Sequence, residues 1–137
     1  MTVHLLDASV WIAARKVNER HHIAARRLIE SGGTQLAATD LTIYEVANVA
    51  VRSWGSARSA RRLADLVHTV CPDRVVRIDA GTIEHAIALA DEHGLSVYDA
   101  SYVAVAERNE WTLVSGDHAD LVDPGLAITP GEALAAD

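Results

Sequence analysis

The chain is short of cysteine, of lysine and of long apolar runs, and each shortage removes a class of explanation. Cys71 is the only cysteine in 137 residues, so neither a disulfide framework nor a thiolate metal cage is expected, and a reducing cytoplasm suits the chain best. Cys71 stands beside Pro72 at the end of a predicted helix, which argues against a thiol nucleophile. No apolar run reaches the roughly 18 residues of a membrane span. The opening MTVHLLDASV has no basic n-region, so no secretion signal is expected. Lys16, early in the chain, is the only lysine, whereas a phosphotransfer receiver domain needs a late one. Residue 9 is Ser, so the D-x-D opening of a phosphatase is missing, as is any glycine-rich nucleotide loop. The seven histidines show no metal-ligand spacing: His21 and His22 are adjacent and His85 and His93 are eight apart, which reads as surface placement.

What is present is enough apolar material for one good core. Half of the residues are hydrophobic, and at this length a single domain spanning 1–137 is expected. The net charge of −7 is unevenly spread. Residues 1–77 hold eleven Lys/Arg against seven Asp/Glu, whereas residues 78–137 hold one against twelve. The basic residues fall mainly in two clusters, Arg15, Lys16, Arg20, Arg26, Arg27 and Arg52, Arg58, Arg61, Arg62. Arginine forks suit phosphate, so Arg15, Arg52, Arg58 and Arg62 are candidate RNA contacts. The plainer reading is a solvated helix face on a protein too acidic for general nucleic-acid binding.

Periodicity alternates between strand and helix. Strands are predicted at 3–6, 35–38, 75–78, 112–115 and 126–128, and helices at 8–15, 19–31, 40–54, 56–70, 81–93 and 98–108. Gly32-Gly33, Gly55, Pro72 and Gly94 supply the stops, Asp40 is the expected cap of its helix, and the chain ends in a polar, Ala-rich tail. Alternation of this kind argues an α/β sandwich of three layers, a short parallel sheet with helices on both faces. Its site would lie beyond the carboxyl ends of the strands.

Four acids stand in apolar frames: Asp7 in LLDASVWI, Glu45 in TIYEVANVA, Asp99 in SVYDASYVAVAE and Asp117 in TLVSGDHADL. Each has a bland reading. Asp7 and Asp99 suit helix starts, Asp99 three residues after Ser96 as in a capping box, and Asp117 suits a turn after Gly116. Glu45 is too deep in its helix to cap it, and its bland reading is an ion pair with an arginine. Together the four point to carboxylates gathered around a cation, because crowded carboxylates otherwise repel and protonate. An all-oxygen set selects a hard ion, Mg²⁺ or Mn²⁺.

The D-x-S opening after the first strand, the E-V-A-N helix, the Y-D-A-S-Y-V-A-V-A-E segment and the late V-S-G-D turn resemble, in order and spacing, PIN-domain ribonucleases, and most of all the VapC toxins of toxin–antitoxin pairs. The resemblance spans essentially the whole chain. It implies a PIN-like fold and a Mg²⁺- or Mn²⁺-dependent endoribonuclease acting on structured RNA, tRNA or rRNA, with 5′-phosphate and 3′-hydroxyl ends. It implies that the four catalytic acids, Asp7, Glu45, Asp99 and Asp117, form the metal site; within it Asp7 and Asp99 are expected to ligate directly and Asp117 to belong to the metal set, with Glu45 and Asp117 acting through water or orienting the nucleophile. Ser9 and Ser115 match small hydroxyls that steady the acids, and Asn48 matches a common Asn one turn after the Glu. His118 stands where many members carry lysine. A VapB-like antitoxin whose tail enters the acidic groove, and a homodimer or a hetero-oligomer with that antitoxin, are the implied partners. The competing reading is a catalytically idle PIN-like module that only binds RNA or protein, and the presence of all four acids argues against it.

Overall fold

Four short parallel strands frame the molecule: β1 (Val3–Leu6), β2 (Gln35–Thr39), β3 (Val75–Val76) and β4 (Thr112–Val114), in the order β3-β2-β1-β4. They are described in a computed structural model covering residues 2–31 and 35–136, so the expected helix stop at Gly32-Gly33 lies outside the described residues. Among the described residues seven α-helices connect and flank the strands: α1 (Ala8–Ala13), α2 (His22–Glu30), α3 (Asp40–Arg52), α4 (Ala57–Val70), α5 (Ala80–His93), α6 (Val97–Asn109) and α7 (Pro130–Ala136).

Strand alternation divides the core in two. Leu6, Leu36, Ala38 and Val114 face one apolar cluster, with Val10 and Trp11 of α1, Leu28 of α2, Val46 of α3 and Leu63 and Val67 of α4. Leu5, Ala37 and Leu113 face the other, with Ala86 of α5 and the run Ala100–Ala106 of α6. The result is the expected three-layer sandwich with helices on both faces. Helix α6 is buried along seven consecutive residues, which is why its sequence shows little amphipathic period.

The chain builds outward from β1 through β2 to β3, then returns to place β4 on the far side of β1. The segments leaving β1 and β4 therefore diverge between adjacent strands, which is where sheets of this type open a crevice. The Asp7 amide donates to the Val114 carbonyl at 3.1 Å, so the two strand ends stay level.

Several local expectations are corrected. Thr39, not Asp40, caps α3: its hydroxyl accepts from the Thr42 amide while the Thr42 hydroxyl accepts from the Thr39 amide. The Asp40 carboxylate instead accepts from the Leu41 and Ile78 amides, which fastens the start of α3 to the segment after β3. Helix α2 begins at His22 rather than Glu19, because 17–21 form turns instead. The expected strand at 126–128 reduces to one bridge between Ile128 and Val114. The tail is helical, opened by reciprocal bonds between Thr129 and Glu132 and anchored by buried Ala133. His4, expected at the surface with the other histidines, is fully buried in β1, and neither ring nitrogen has a partner among the described residues. Among the described residues no helix is long and apolar enough to cross a membrane.

Candidate active site

All four strands are parallel, so the segments that follow β1, β2 and β4 emerge on one edge of the sheet. Asp7 follows β1 directly and is buried, 5% exposed. It serves both readings of its sequence. Its Oδ1 caps α1 by accepting from the Ser9 amide at 3.0 Å, and the carboxylate is also the centre of a hydroxyl network. The Ser9 hydroxyl donates to Oδ1 and the Ser115 hydroxyl donates to Oδ2 at 2.5 Å. Each serine oxygen accepts in turn from the chain after β4: Ser9 from the Gly116 amide at 2.8 Å, Ser115 from the Asp117 amide at 3.0 Å. Two serines thus relay the 115–117 turn onto both oxygens of one carboxylate.

Gly116 allows a close approach there. A side chain at 116 would place its first carbon 3.3 Å from the His21 ring and 3.4 Å from the Ser9 hydroxyl. Beyond it, Asp117 caps a π-helical turn over His118–Val122 by accepting from the Asp120 amide at 3.1 Å. Such one-turn π segments concentrate at functional sites. Nothing in ADLVDPGL marked this turn in advance, although the Asp117–Asp120 spacing carries the capping signal. His118 meets His21 head-on, Nε2 to Nε2 at 2.9 Å with ring planes 10° apart, so one ring donates to the other. That bond ties the segment before α2 to the turn and occupies the facing nitrogens of both imidazoles.

Asp99 sits in the first turn of α6, where the Ser96 hydroxyl caps its amide at 3.0 Å. One turn on, Tyr102 donates its phenol hydrogen to Oε1 of Glu45 at 2.6 Å, which brings α3 and α6 together at this edge. Glu45 therefore has a phenol for partner, and among the described residues the arginine pair of its bland reading is not formed.

Charge effects tie the acids into one group. Burial raises the Asp7 carboxyl to about 6; the Ser115 and Ser9 hydrogen bonds oppose this, and the Asp99 and Glu45 charges add to it. Burial also raises Glu45, with the Tyr102 bond opposing and the Asp99 charge adding. Asp99 is raised by burial and by the charges of Asp117 and Asp120, against the Ser96 bond. Asp99 is thus the junction, coupled to Asp7 and Glu45 on one side and to Asp117 and Asp120 on the other.

Asp99, Asp117 and Asp120 each present a carboxylate oxygen within 4.8 Å of the other two. Asp120 was not anticipated from the sequence, whereas Asp7 and Glu45 lie outside this closest trio and join it through charge. The donor set is all carboxylate oxygen, steadied by hydroxyls and with the nearest imidazoles paired to each other. That chemistry fits a hard divalent cation and poorly fits zinc. Four of the acids, Asp7, Asp99, Asp117 and Asp120, also lie at helical N-termini, where the backbone favours negative charge.

The supporting residues divide. Ser9 and Ser115 are in the network, whereas Asn48 is exposed on α3. Arg52, Arg58 and Arg62 are exposed on α3 and α4, and Arg15 lines a shallow hollow with Lys16, Trp54 and Ser59.

Comparison with known proteins identifies the family and the fold. Residues 4–121 match the family described as PIN domain. Ribonuclease VapC3 of Pyrobaculum aerophilum is 35% identical over 111 residues, covering 76% of this chain and 81% of that protein. Among solved structures, VapC20 of Mycobacterium tuberculosis, described as a sarcin–ricin-loop-cleaving toxin, superposes with a TM-score of 0.74 at 24% identity, covering 89% of this chain and 95% of that one. A chain of a toxin–antitoxin complex from Klebsiella pneumoniae gives a TM-score of 0.68 at 21% identity, covering 93% and 97%.

Proposed function

The chain belongs to the PIN-domain family, as a VapC-type ribonuclease, and on that premise we propose that it is a divalent-metal-dependent endoribonuclease, the toxin of a toxin–antitoxin pair. The observation that carries this is the gathering of Asp7, Glu45, Asp99, Asp117 and Asp120 on one sheet edge with serine hydroxyls behind them. Structured RNA, tRNA or rRNA, is the proposed substrate.

Asp7, Asp99 and Asp117 would hold Mg²⁺ or Mn²⁺, with Asp120 completing the set. When bound, the ion supplies charge neutralisation and Lewis acidity at the phosphate. The chain's own residues do the rest. Ser9 and Ser115 donate to both Asp7 oxygens, which favours its ionised form against burial. Glu45 keeps Oε2 clear of protein partners among the described residues and orients the attacking water. Water adds at phosphorus, the bond to the 3′-oxygen breaks, and that oxygen takes up a proton. Arg15, Arg52, Arg58 and Arg62 guide the RNA backbone toward a rim that repels phosphate on its own.

The test uses purified protein, structured RNA and millimolar Mg²⁺. Cleavage should leave 5′-phosphate and 3′-hydroxyl ends and stop in EDTA. Undiminished cleavage in EDTA would remove the metal, cyclic phosphate ends would mean that the RNA's own 2′-hydroxyl is the nucleophile, and either would overturn the reading.

The partners follow from the same premise. An antitoxin with a tail suited to the acidic groove is proposed, supported by the likeness in fold to a chain of a toxin–antitoxin complex. A homodimer is proposed through the face of α3, α5 and α6, where Tyr44 is 76% and Tyr98 63% exposed around a hollow of about 280 Å³ that includes Leu41, Ile83 and Val97. Ile87, half-exposed on α5 of the same face, offers a test. Light scattering should give a dimer mass for the wild type and a monomer mass for Ile87→Glu, with the melting temperature nearly unchanged. A monomeric wild type at micromolar concentration would remove this interface.

A further inference from the structure

We infer that Tyr102 is a positioning residue for Glu45, the last donor in a one-way chain of hydroxyl hydrogen bonds that begins at the N-cap of α3 and ends on the Glu45 carboxylate. The inference rests on the nuclease reading of this site and names a residue that reading does not use.

The direction of the chain follows from counting hydrogens. An ionised carboxylate only accepts, so the Tyr102 phenol must spend its single hydrogen on Oε1 of Glu45, 2.6 Å away. The 3.1 Å bond between the phenol and the Thr42 hydroxyl must then run from Thr42 to Tyr102. With its hydrogen committed, the Thr42 oxygen accepts, from the Thr39 amide at 3.1 Å and from the Thr39 hydroxyl at 3.2 Å. The Thr39 oxygen accepts in turn from the Thr42 amide at 3.2 Å. Every hydroxyl hydrogen in the relay is assigned, and all point toward Glu45. Bonds aligned this way polarise one another.

Thr39 and Thr42 are fully buried and Tyr102 is 2% exposed, so water cannot replace a missing member. The burial that raises Glu45 also raises the Tyr102 phenol well above its ordinary value, which keeps it a donor. Tyr102 follows Asp99 by three residues on α6, nearly one turn, and so shares its side of the helix. The phenol is therefore a strut between the helix that carries Asp99 and the helix that carries Glu45. It sets the separation of two acids, and by holding Oε1 it leaves Oε2 for the site.

The test is a double-mutant cycle with Tyr102→Phe and Glu45→Gln, read in two ways: Mn²⁺ affinity of the protein without RNA, and kcat and KM for Mg²⁺-dependent cleavage. Tyr102→Phe keeps the ring that fills the core. It should lower kcat about tenfold, the size of one charge-assisted bond, leave KM within about twofold, and weaken Mn²⁺ binding by about threefold or more. In the Glu45→Gln background it should add less than about twofold to either reading, because the carboxylate it positions is replaced by a neutral amide. Thr42→Val, which removes the donor upstream, should act in the same direction at about two- to fourfold. If Tyr102→Phe costs as much with Gln at 45 as with Glu, Tyr102 acts only through packing and the inference fails. It fails equally if Tyr102→Phe behaves as wild type. Should the wild-type protein cleave no RNA, the nuclease reading falls, and the Mn²⁺ cycle still decides the role of Tyr102.

Discussion

Asp99→Asn is expected to lower Mg²⁺-dependent RNA cleavage by about a thousandfold or more while the protein stays folded. Asp99 is the acid to which all the others couple: its charge raises Asp7 and Glu45, and the charges of Asp117 and Asp120 raise it. It also offers one of the three mutually close carboxylate oxygens. Asparagine keeps the shape and a neutral oxygen but removes the negative charge, so the ion is held poorly. The fold should tolerate the change. The residue is half-buried in the first turn of α6, the Ser96 hydroxyl keeps its bond from the Asp99 amide, and a mutual repulsion disappears. The check is single-turnover cleavage beside a melting curve. A variant that melts like the wild type, or slightly higher, and cleaves within about tenfold of it would remove Asp99 from the chemistry.

The frame was readable because its signals are local. Short apolar runs gave all four strands, and apolar periodicity gave the long helices α4 and α5. What escaped was set by tertiary contact. The last helix has a Thr-x-x-Glu start in Thr129–Glu132, but a polar Ala-rich run is ambiguous until Ala133 is seen docked beside α2. The burial of His4 was invisible for the opposite reason: a histidine in a strand gives no sign of which sheet face will be covered, or by what.

Chemistry at the site was legible in part, because a carboxylate in an apolar frame is costly enough to demand a reason. That argument found Asp7, Glu45, Asp99 and Asp117 and, through the D-x-S and V-S-G-D segments, Ser9 and Ser115. It missed Asp120, which sits in a polar stretch where an acid costs nothing. It missed Tyr102 because an aromatic inside an apolar helix looks like ordinary core, and only the position of Glu45 across the helix interface gives its hydroxyl a task. Asn48 and the arginines are exposed, and nothing in the fold alone distinguishes them from solvated surface.

Metal-free protein should lose stability as pH rises through the acid range, the reverse of the usual behaviour of paired carboxylates. The Asp7 carboxyl is raised from 3.8 to about 6 in the folded chain. Between those values the folded state holds a proton that the unfolded state has released, so unfolding free energy falls as pH rises, by at most about 3 kcal/mol from this group. Glu45 and Asp99 are raised as well and add in the same direction. Asp79 opposes them: bonds from Thr82 hold it low, so its contribution grows with pH. The informative quantity is therefore the difference in melting temperature between wild type and Asp7→Asn. It should move against the wild type by roughly 5–10 °C between about pH 4 and about pH 7. Millimolar Mg²⁺ binds the ionised acids of the native state only, so its stabilisation should be large near pH 7 and small near pH 5. Because the same burial that makes Asp7 costly when ionised makes it a strong ligand, the two slopes share one cause. A pH-independent difference, or equal Mg²⁺ stabilisation at both pH values, would mean that the buried carboxylate and the cation site are unconnected.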